Sequence, residues 1–531
     1  MMPTRHDGYL AILLHAHLPF VRHPEHPFFL EENWLFEALA ECYLPLLDFL
    51  NSLMNDGVRF RLSFSISPTL CEMLCDRLLM DRFSRRLEAL SELADKEIYR
   101  TRHQADFRRT AEMYSARLRR VRRLFEDDCR RDVVGAFRAL QDAGRVEILA
   151  TSATHAILPL ILRSRCVRAQ IRMGLRSYQR HFRCSPSGFW LPECAYAPGL
   201  DHELAADNIR YFILDSHGIL LGAPRPKFGT FAPVFCRSRV AACGRDIESS
   251  KQVWSAQSGY PGDPVYREFY RDLGYDADSS YVAPYLLTGG ARHDLGFKYH
   301  RITGPVPLAE KLPYDPEAAF RKADEHAAHF LEARRRQVKR LRQAMGRRPF
   351  LMAPYDAELF GHWWYEGPQF LDLFLRKAAY DQSDLRLLTP SEYLAEHPNL
   401  QVLEPSASSW GDKGYFEVWL NGSNSWIYRL LHRAEDRMLT LVDRHPRCSG
   451  IMARALNQAA RELMLAQASD WAFIMTSGTM VSYAEKRVRQ HIEAFNFLSD
   501  MIEAETIDET RLSQLEERSN IFSEMDYHFY A

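Results

Sequence analysis

One pattern limits what this chain can fold into more than any other. Up to about residue 405, short β-rich apolar runs each end in a polar or charged residue and lead into a helical stretch. Seven such runs stand at 9–14, 59–66, 146–150, 188–192, 210–214, 349–354 and 385–389. Strands that alternate with helices build parallel βαβ units, and strands buried on both faces read as unbroken apolar runs. Seven units with no obvious eighth imply a seven-stranded (β/α)7 barrel rather than the common eight-stranded one. Catalytic side chains collect at the C-terminal ends of barrel strands. The polar residues that close the runs are therefore the first candidates for chemistry.

At 531 residues the chain is too long for one ordinary core. The barrel is expected over 1–75 and 136–405. Residues 76–135, dense in Arg, Glu and Leu, repeat apolar residues at helical spacing and read as an inserted helical domain beside it. A second irregular stretch, 219–305, is rich in Gly, Pro and aromatics and is expected to roof the site with loops. From 406 to 531 the pattern becomes a C-terminal helical domain that contributes to the active site. Its helices are expected at 426–443, 450–468, 480–504 and 508–518. Ile451, Ala455, Leu456, Ala459, Leu463 and Met464 form the buried stripe of the second.

Net charge is −1, so no basic field invites nucleic acid or an anionic membrane. The Arg- and Lys-rich run at 334–342 lies on a predicted helix over 316–345, is diluted by Glu325 and Glu332, and reads as an exposed face. No apolar segment is long enough to span a bilayer, and the run at 9–14 is too short for a signal sequence. The ten cysteines are scattered with no CxxC pair. Reduced thiols and a cytoplasmic location are expected.

The string HAHLP at 15–19 follows the first run. His15 and His17, two residues apart in extended chain, face one side. With His155 and Asp215 at other strand ends they suit either a metal or a ligand's hydroxyls. The run at 188–192 leads into a single acid, Glu193, and the run at 349–354 leads into Asp356, with Glu358 two residues on. An acid at a strand end often caps the next helix. A buried, raised carboxylic acid facing an ionised one is instead the arrangement of glycosidases. Spacing alone leaves open whether Asp356 or Glu358 donates the proton. Trp410 and Trp419 stand in Gly-rich loops, where a ring has little core to fill, and Asp470 precedes Trp471.

These motifs resemble, in order, the signature regions of glycoside hydrolase family 57. They are HAHLP at 15–19, GRVE at 144–147 with His155, WLPE at 190–193, YDAELFGHWW at 355–364, and the stretch from Trp410 to Trp426. The subgroup they most resemble is the 1,4-α-glucan branching enzymes. The resemblance implies a (β/α)7 barrel, a retaining mechanism and no metal or organic cofactor. It implies Glu193 as nucleophile and Asp356 as general acid/base. It assigns sugar contacts to His15, His17, His155, Trp410, Trp419 and Asp470, and α-1,4-glucan as donor and acceptor.

One departure stands out. Branching members carry a loop with a tyrosine at its tip, and the equivalent segment here, 219–255, contains none. Phe231, Phe235 and the run 236–239 stand there instead. The alternatives are an α-amylase-type hydrolase on the same scaffold, a metal-dependent deacetylase-like barrel using His15, His17 and Asp215, and a glucan-binding module without activity.

Overall fold

The computed structural model describes residues 6–255, 259–287 and 290–531. Among them nine strands form one sheet. They are β1 (Gly8–Ala16), β2 (Leu62–Ile66), β3 (Val146–Thr151), β4 (Gly188–Trp190), β5 (Tyr211–Leu214), β6 (Val234–Phe235), β7 (Ala241–Gly244), β8 (Phe350–Asp356) and β9 (Leu385–Leu387). The order is β6-β7-β5-β4-β3-β2-β1-β8, with β9 also on β1. Every pairing is parallel except that of β6 with β7. At the end of β7, Arg245 bridges to Met352, and the Asp246 amide donates to the Met352 carbonyl at 2.7 Å. That bridge brings β7 round to β8 and curls the sheet. The architecture is α/β, a curled and mainly parallel sheet wrapped by helices, followed by a helical C-terminal region.

Each of the seven apolar runs carries a strand; all nine residues of β1 are buried, whereas in β9 only Leu385 is. The last run differs from expectation in its place. β9 pairs with the first residues of β1, from Gly8 against Leu385, instead of extending the order past β8. The neighbour of β5 is β7, which lies within the stretch expected to be loops. Its residues, Ala, Ala, Cys and Gly, carry almost no strand signal. Small residues are what the position needs, since a Cβ on Gly244 would lie 2.9 Å from Ile219 and Thr230. Residues 256–258 and 288–289 of the expected roof lie outside the described residues.

Between β2 and β3, helices Arg77–Arg100 and Ala105–Arg123 form a hairpin, the first capped by Asp76, which accepts from the Leu79 amide at 3.0 Å. The C-terminal region has helices Ser425–Arg444, Gly450–Ala466, Ser469–Ser477, Val481–Glu503 and Glu509–Arg518. The third of these was not anticipated. It is one short helix, and it carries Asp470. Its approach is fixed by the Thr154 hydroxyl on the Met464 carbonyl (2.5 Å) and by Gln170 on Gln467 (3.0 Å). No helix among the described residues is long and apolar enough to cross a membrane.

The basic helix Pro316–Met345 is not uniformly exposed. Arg334 is fully buried and donates to Asp246 (3.0 Å), Glu248 (3.0 Å) and Gln252 (2.8 Å). Asp246 also caps helix Ile247–Trp254 and accepts from Gln337 at 2.9 Å. Removing one partner of such a pair leaves an uncompensated charge inside the protein. Asp246→Ala is expected to cost about 3–5 kcal/mol and to lower the thermal midpoint measured by calorimetry. An unchanged midpoint would show that the pair does not anchor this corner.

Candidate active site

The strand ends converge on one bowl. β1 delivers His15, with His17 just beyond it, and His155 follows β3. Glu193 follows β4, and Asp356 ends β8 opposite His15 in the β1–β8 register. Parallel strands point their C-terminal ends the same way, so residues far apart in sequence become neighbours.

Glu193 sits in a one-turn helix over Pro192–Cys194 with φ +59°, and Cys194 follows at +51°. His155 is also left-handed, at +57°. Non-glycine residues held there are strained, and such strain gathers at functional sites. Glu193 caps no helix, because the next one begins after Gly199. Its Oε2 accepts from the Trp410 indole Nε1 at 2.5 Å, and its carbonyl accepts from the Trp410 amide at 2.9 Å. His155 Nδ1 lies 3.9 Å from Oε1. Burial pushes the Glu193 carboxyl up to about 7, while the Trp410 bond and the nearby His17 pull against it.

Asp356 accepts no hydrogen bond from the described residues. Burial, then the charges of Glu358 and Glu193, hold its carboxyl well above the usual range. Glu358 is differently placed. It accepts from the Tyr43 hydroxyl and from the His17 amide at 3.2 Å, so it ties the end of β1 to the turn after β8. Of the two acids, Asp356 is the one without a donor.

The three histidines stack. Ring centroids are 3.9 Å apart for His17 and His155 and 4.8 Å for His15 and His155, and His15 lies 4.7 Å from Trp190. His15 and His155 share a proton between their Nε2 atoms at 2.9 Å, and His155 Nδ1 meets the Ser469 hydroxyl at 2.9 Å. Burial, then neighbouring imidazoles, hold both well below the usual histidine range. His17 bonds Ser67 at 2.8 Å and both Asp470 oxygens at 3.1 Å. Burial opposes its charge, but Asp470, Glu193 and Glu358 outweigh that and raise its pKa. Of the three rings, His17 is thus the one whose charged form the acidic neighbours favour. Asp215, the third ligand of a metal-binding reading, accepts from the Ser216 amide at 2.6 Å and pairs with Arg245 at 3.1 Å.

Trp410 is half-buried against Trp190, with centroids 4.9 Å apart. Trp419 is not at the wall. It is 1% exposed and packs on Gly411, where a Cβ would lie 2.7 Å from its ring. It fills core beneath the loop instead of presenting a face. Trp254 was missed. It ends helix Ile247–Trp254, is 45% exposed, and its ring lies 6.4 Å from Trp410. The tyrosine-free segment thus does hold an exposed aromatic near the site. Phe235 lies in β6, and the carbonyl of Phe231 accepts from the Phe350 amide at 2.8 Å. Tyr43, Ser67 and Ser469 were also missed, since a hydroxyl partner leaves no sequence motif.

A family model described as glycosyl hydrolase family 57 matches residues 11–405, and one described as the C-terminal region of 1,4-alpha-glucan branching enzyme matches 430–530. The α-amylase AmyC of Thermotoga maritima is 42% identical, with TM-score 0.92 over 99% of both chains. The family 57-type branching enzyme of Pyrococcus horikoshii is 34% identical, with TM-score 0.89 over 99% of this chain and 97% of that one. The 1,4-alpha-glucan branching enzyme of Thermococcus kodakarensis is 34% identical over 97% of this chain and 77% of its own.

The Trp410 indole favours the ionised form of Glu193. Trp410→Phe keeps a ring but removes the donor, so the Glu193 carboxyl is expected to titrate above about 7. Infrared difference titration, with Glu193→Gln to assign the band, checks this. A midpoint that stays put or falls would mean the indole does not hold the charge.

Proposed function

The chain belongs to glycosyl hydrolase family 57, and from that premise we propose that it is a 1,4-α-glucan branching enzyme working by double displacement. The observation that carries the reading is the asymmetry of two facing acids. Glu193 has an indole donor and lies near His17, whose charged form is favoured, whereas Asp356 has no hydrogen-bond donor among the described residues. The first suits a nucleophile and the second a proton donor.

Asp356 gives its proton to the oxygen of an α-1,4 link as Glu193 attacks the anomeric carbon. The C1–O bond breaks, one chain leaves with a new 4-hydroxyl, and a β-linked ester forms on Glu193. The 6-hydroxyl of an acceptor chain then attacks C1 while the Asp356 carboxylate takes its proton. The ester breaks and an α-1,6 branch results. Two inversions retain the configuration, which needs carboxyl groups about 5–5.5 Å apart. His15, His17 and His155 bind sugar hydroxyls, His17 held by Asp470. Trp410 and Trp254 offer flat apolar faces, and Trp419 supports the Trp410 loop.

We read the curled sheet as a (β/α)7 barrel over 1–75 and 136–405, with the helical insertion at 76–135 and a C-terminal domain from 406. The ten cysteines are all unpaired, in keeping with a cytoplasmic protein. A second reading is hydrolysis, with water as acceptor. It is favoured by the likeness to AmyC and by the missing tyrosine in 219–255.

Incubation with amylose separates them. Branching lowers iodine colour with little new reducing sugar, whereas hydrolysis releases reducing ends in step and would overturn the first reading. Glu193→Gln is expected to abolish turnover, and Asp356→Asn to lower it by roughly 10²–10⁴. Substantial activity in Glu193→Gln removes the nucleophile assignment.

A further inference from the structure

A half-open cleft of about 690 Å³ lies among helices Leu44–Asn55, Ala105–Arg123, Pro316–Met345 and Gly367–Tyr380. None of the strand-end histidines or acids described above lines it. Its size falls within the range of small-molecule sites, roughly 300–1,000 Å³. Three features say what it would take.

Most of its charges are already matched, Arg117 and Glu366 being the lining groups without an ion-pair partner among the described residues. Asp48 pairs with Arg120 at 2.5 Å, and Arg376 pairs with Asp56 at 2.7 Å and Asp372 at 2.8 Å. Arg117 lies 4.1 Å from the Tyr365 ring centre and donates to the Glu41 carbonyl. Little charge is left over for an ionic ligand, so a neutral one fits best.

Its unused polar groups suit hydroxyls. Gln369 Oε1 and Glu366 Oε2 are buried with no partner among the described residues. Glu366 is 2% exposed. Its other oxygen accepts from Tyr314 at 2.7 Å and from the Arg267 amide at 3.1 Å. A buried acceptor without a donor is costly, and a ligand hydroxyl relieves that cost. The side-chain amides of Asn51 and Asn55 make no hydrogen bond to described residues and can both donate and accept.

It also offers an open ring. Phe320 is 51% exposed and stacks on no other aromatic ring among the described residues. A free ring beside amides and unpaired acceptors, with most charge paired, matches a neutral polyhydroxylic chain better than an ion or an apolar ligand.

We propose that this cleft is a second, non-catalytic α-glucan site, with Phe320 as the stacking platform and Gln369 and Glu366 accepting from sugar hydroxyls. The proposal rests on the glucan reading of the substrate above. Such a site would hold polymer chains near the carboxylates and raise their effective concentration.

The test is glycogen affinity by electrophoresis in glycogen-containing gels, with turnover on short soluble maltooligosaccharides measured alongside. Phe320→Ala/Gln369→Ala is expected to bind glycogen about tenfold more weakly, with turnover on the short chains unchanged. Phe320→Trp, which keeps a ring, is expected to retain affinity. Unchanged glycogen affinity in the double variant overturns the second site. Loss of short-chain turnover together with affinity overturns its independence from the carboxylates. If the unmodified protein neither binds glycogen nor acts on maltooligosaccharides, the glucan reading itself fails.

Discussion

Three carboxyl groups, Glu193, Asp356 and Glu358, share one desolvated bowl, and the structure around them is arranged to make that tolerable. Like charges crowded together in low polarity cannot all ionise. The fold gives each acid different company. Glu193 takes the Trp410 indole and the field of His17, and Glu358 takes the Tyr43 hydroxyl and the His17 amide. Asp356 is left with burial and two acidic neighbours, and of the charges around it only Arg245 opposes the rise. The excess proton therefore belongs on Asp356.

This arrangement depends on the C-terminal region. Trp410 lies in the segment joining it to the sheet, and Asp470 and Ser469 come from one of its helices. The segment is strapped to the turn holding Glu193 by paired backbone bonds between Tyr196 and Ser408, at 2.9 and 3.1 Å. Ala156 and Ala468 bridge beside His155. These straps account for three left-handed residues, His155, Glu193 and Cys194, persisting at the site, since strain survives only where the surroundings over-determine it. Sheet and C-terminal helices are thus one functional unit, even though their sequence patterns differ.

Much of the frame was readable because parallel strands leave long apolar runs. β1, ending in His15, and β8, ending in Asp356, were plain for that reason. What escaped lacked a periodic signal. β7 is built of small residues because Ile219 and Thr230 crowd it, so it resembles loop. The helix Ser469–Ser477 is only nine residues long and merges by composition with its neighbours. Trp419 looked free in a Gly-rich loop, yet one of those glycines, Gly411, is what lets its ring pack inward. The pairing of Tyr43 with Glu358 joins positions 315 residues apart, and no local rule reaches that far.

The proposed transfer turns on whether a sugar or a water reaches the anomeric carbon, and the frame constrains how that contest is run. In the tyrosine-free segment 219–255, expected to be loops, the chain instead builds β6, β7 and a helix ending at Trp254. That helix is capped by Asp246, which is locked to the buried Arg334. The ring nearest Trp410 from this side is therefore carried on a braced element. An acceptor chain gains by stacking on a surface already in place, and ordering that surface costs little at the moment of binding. Selectivity for sugar over water would then come from acceptor binding itself, because interactions made only by the acceptor are the ones that lower its barrier relative to water's.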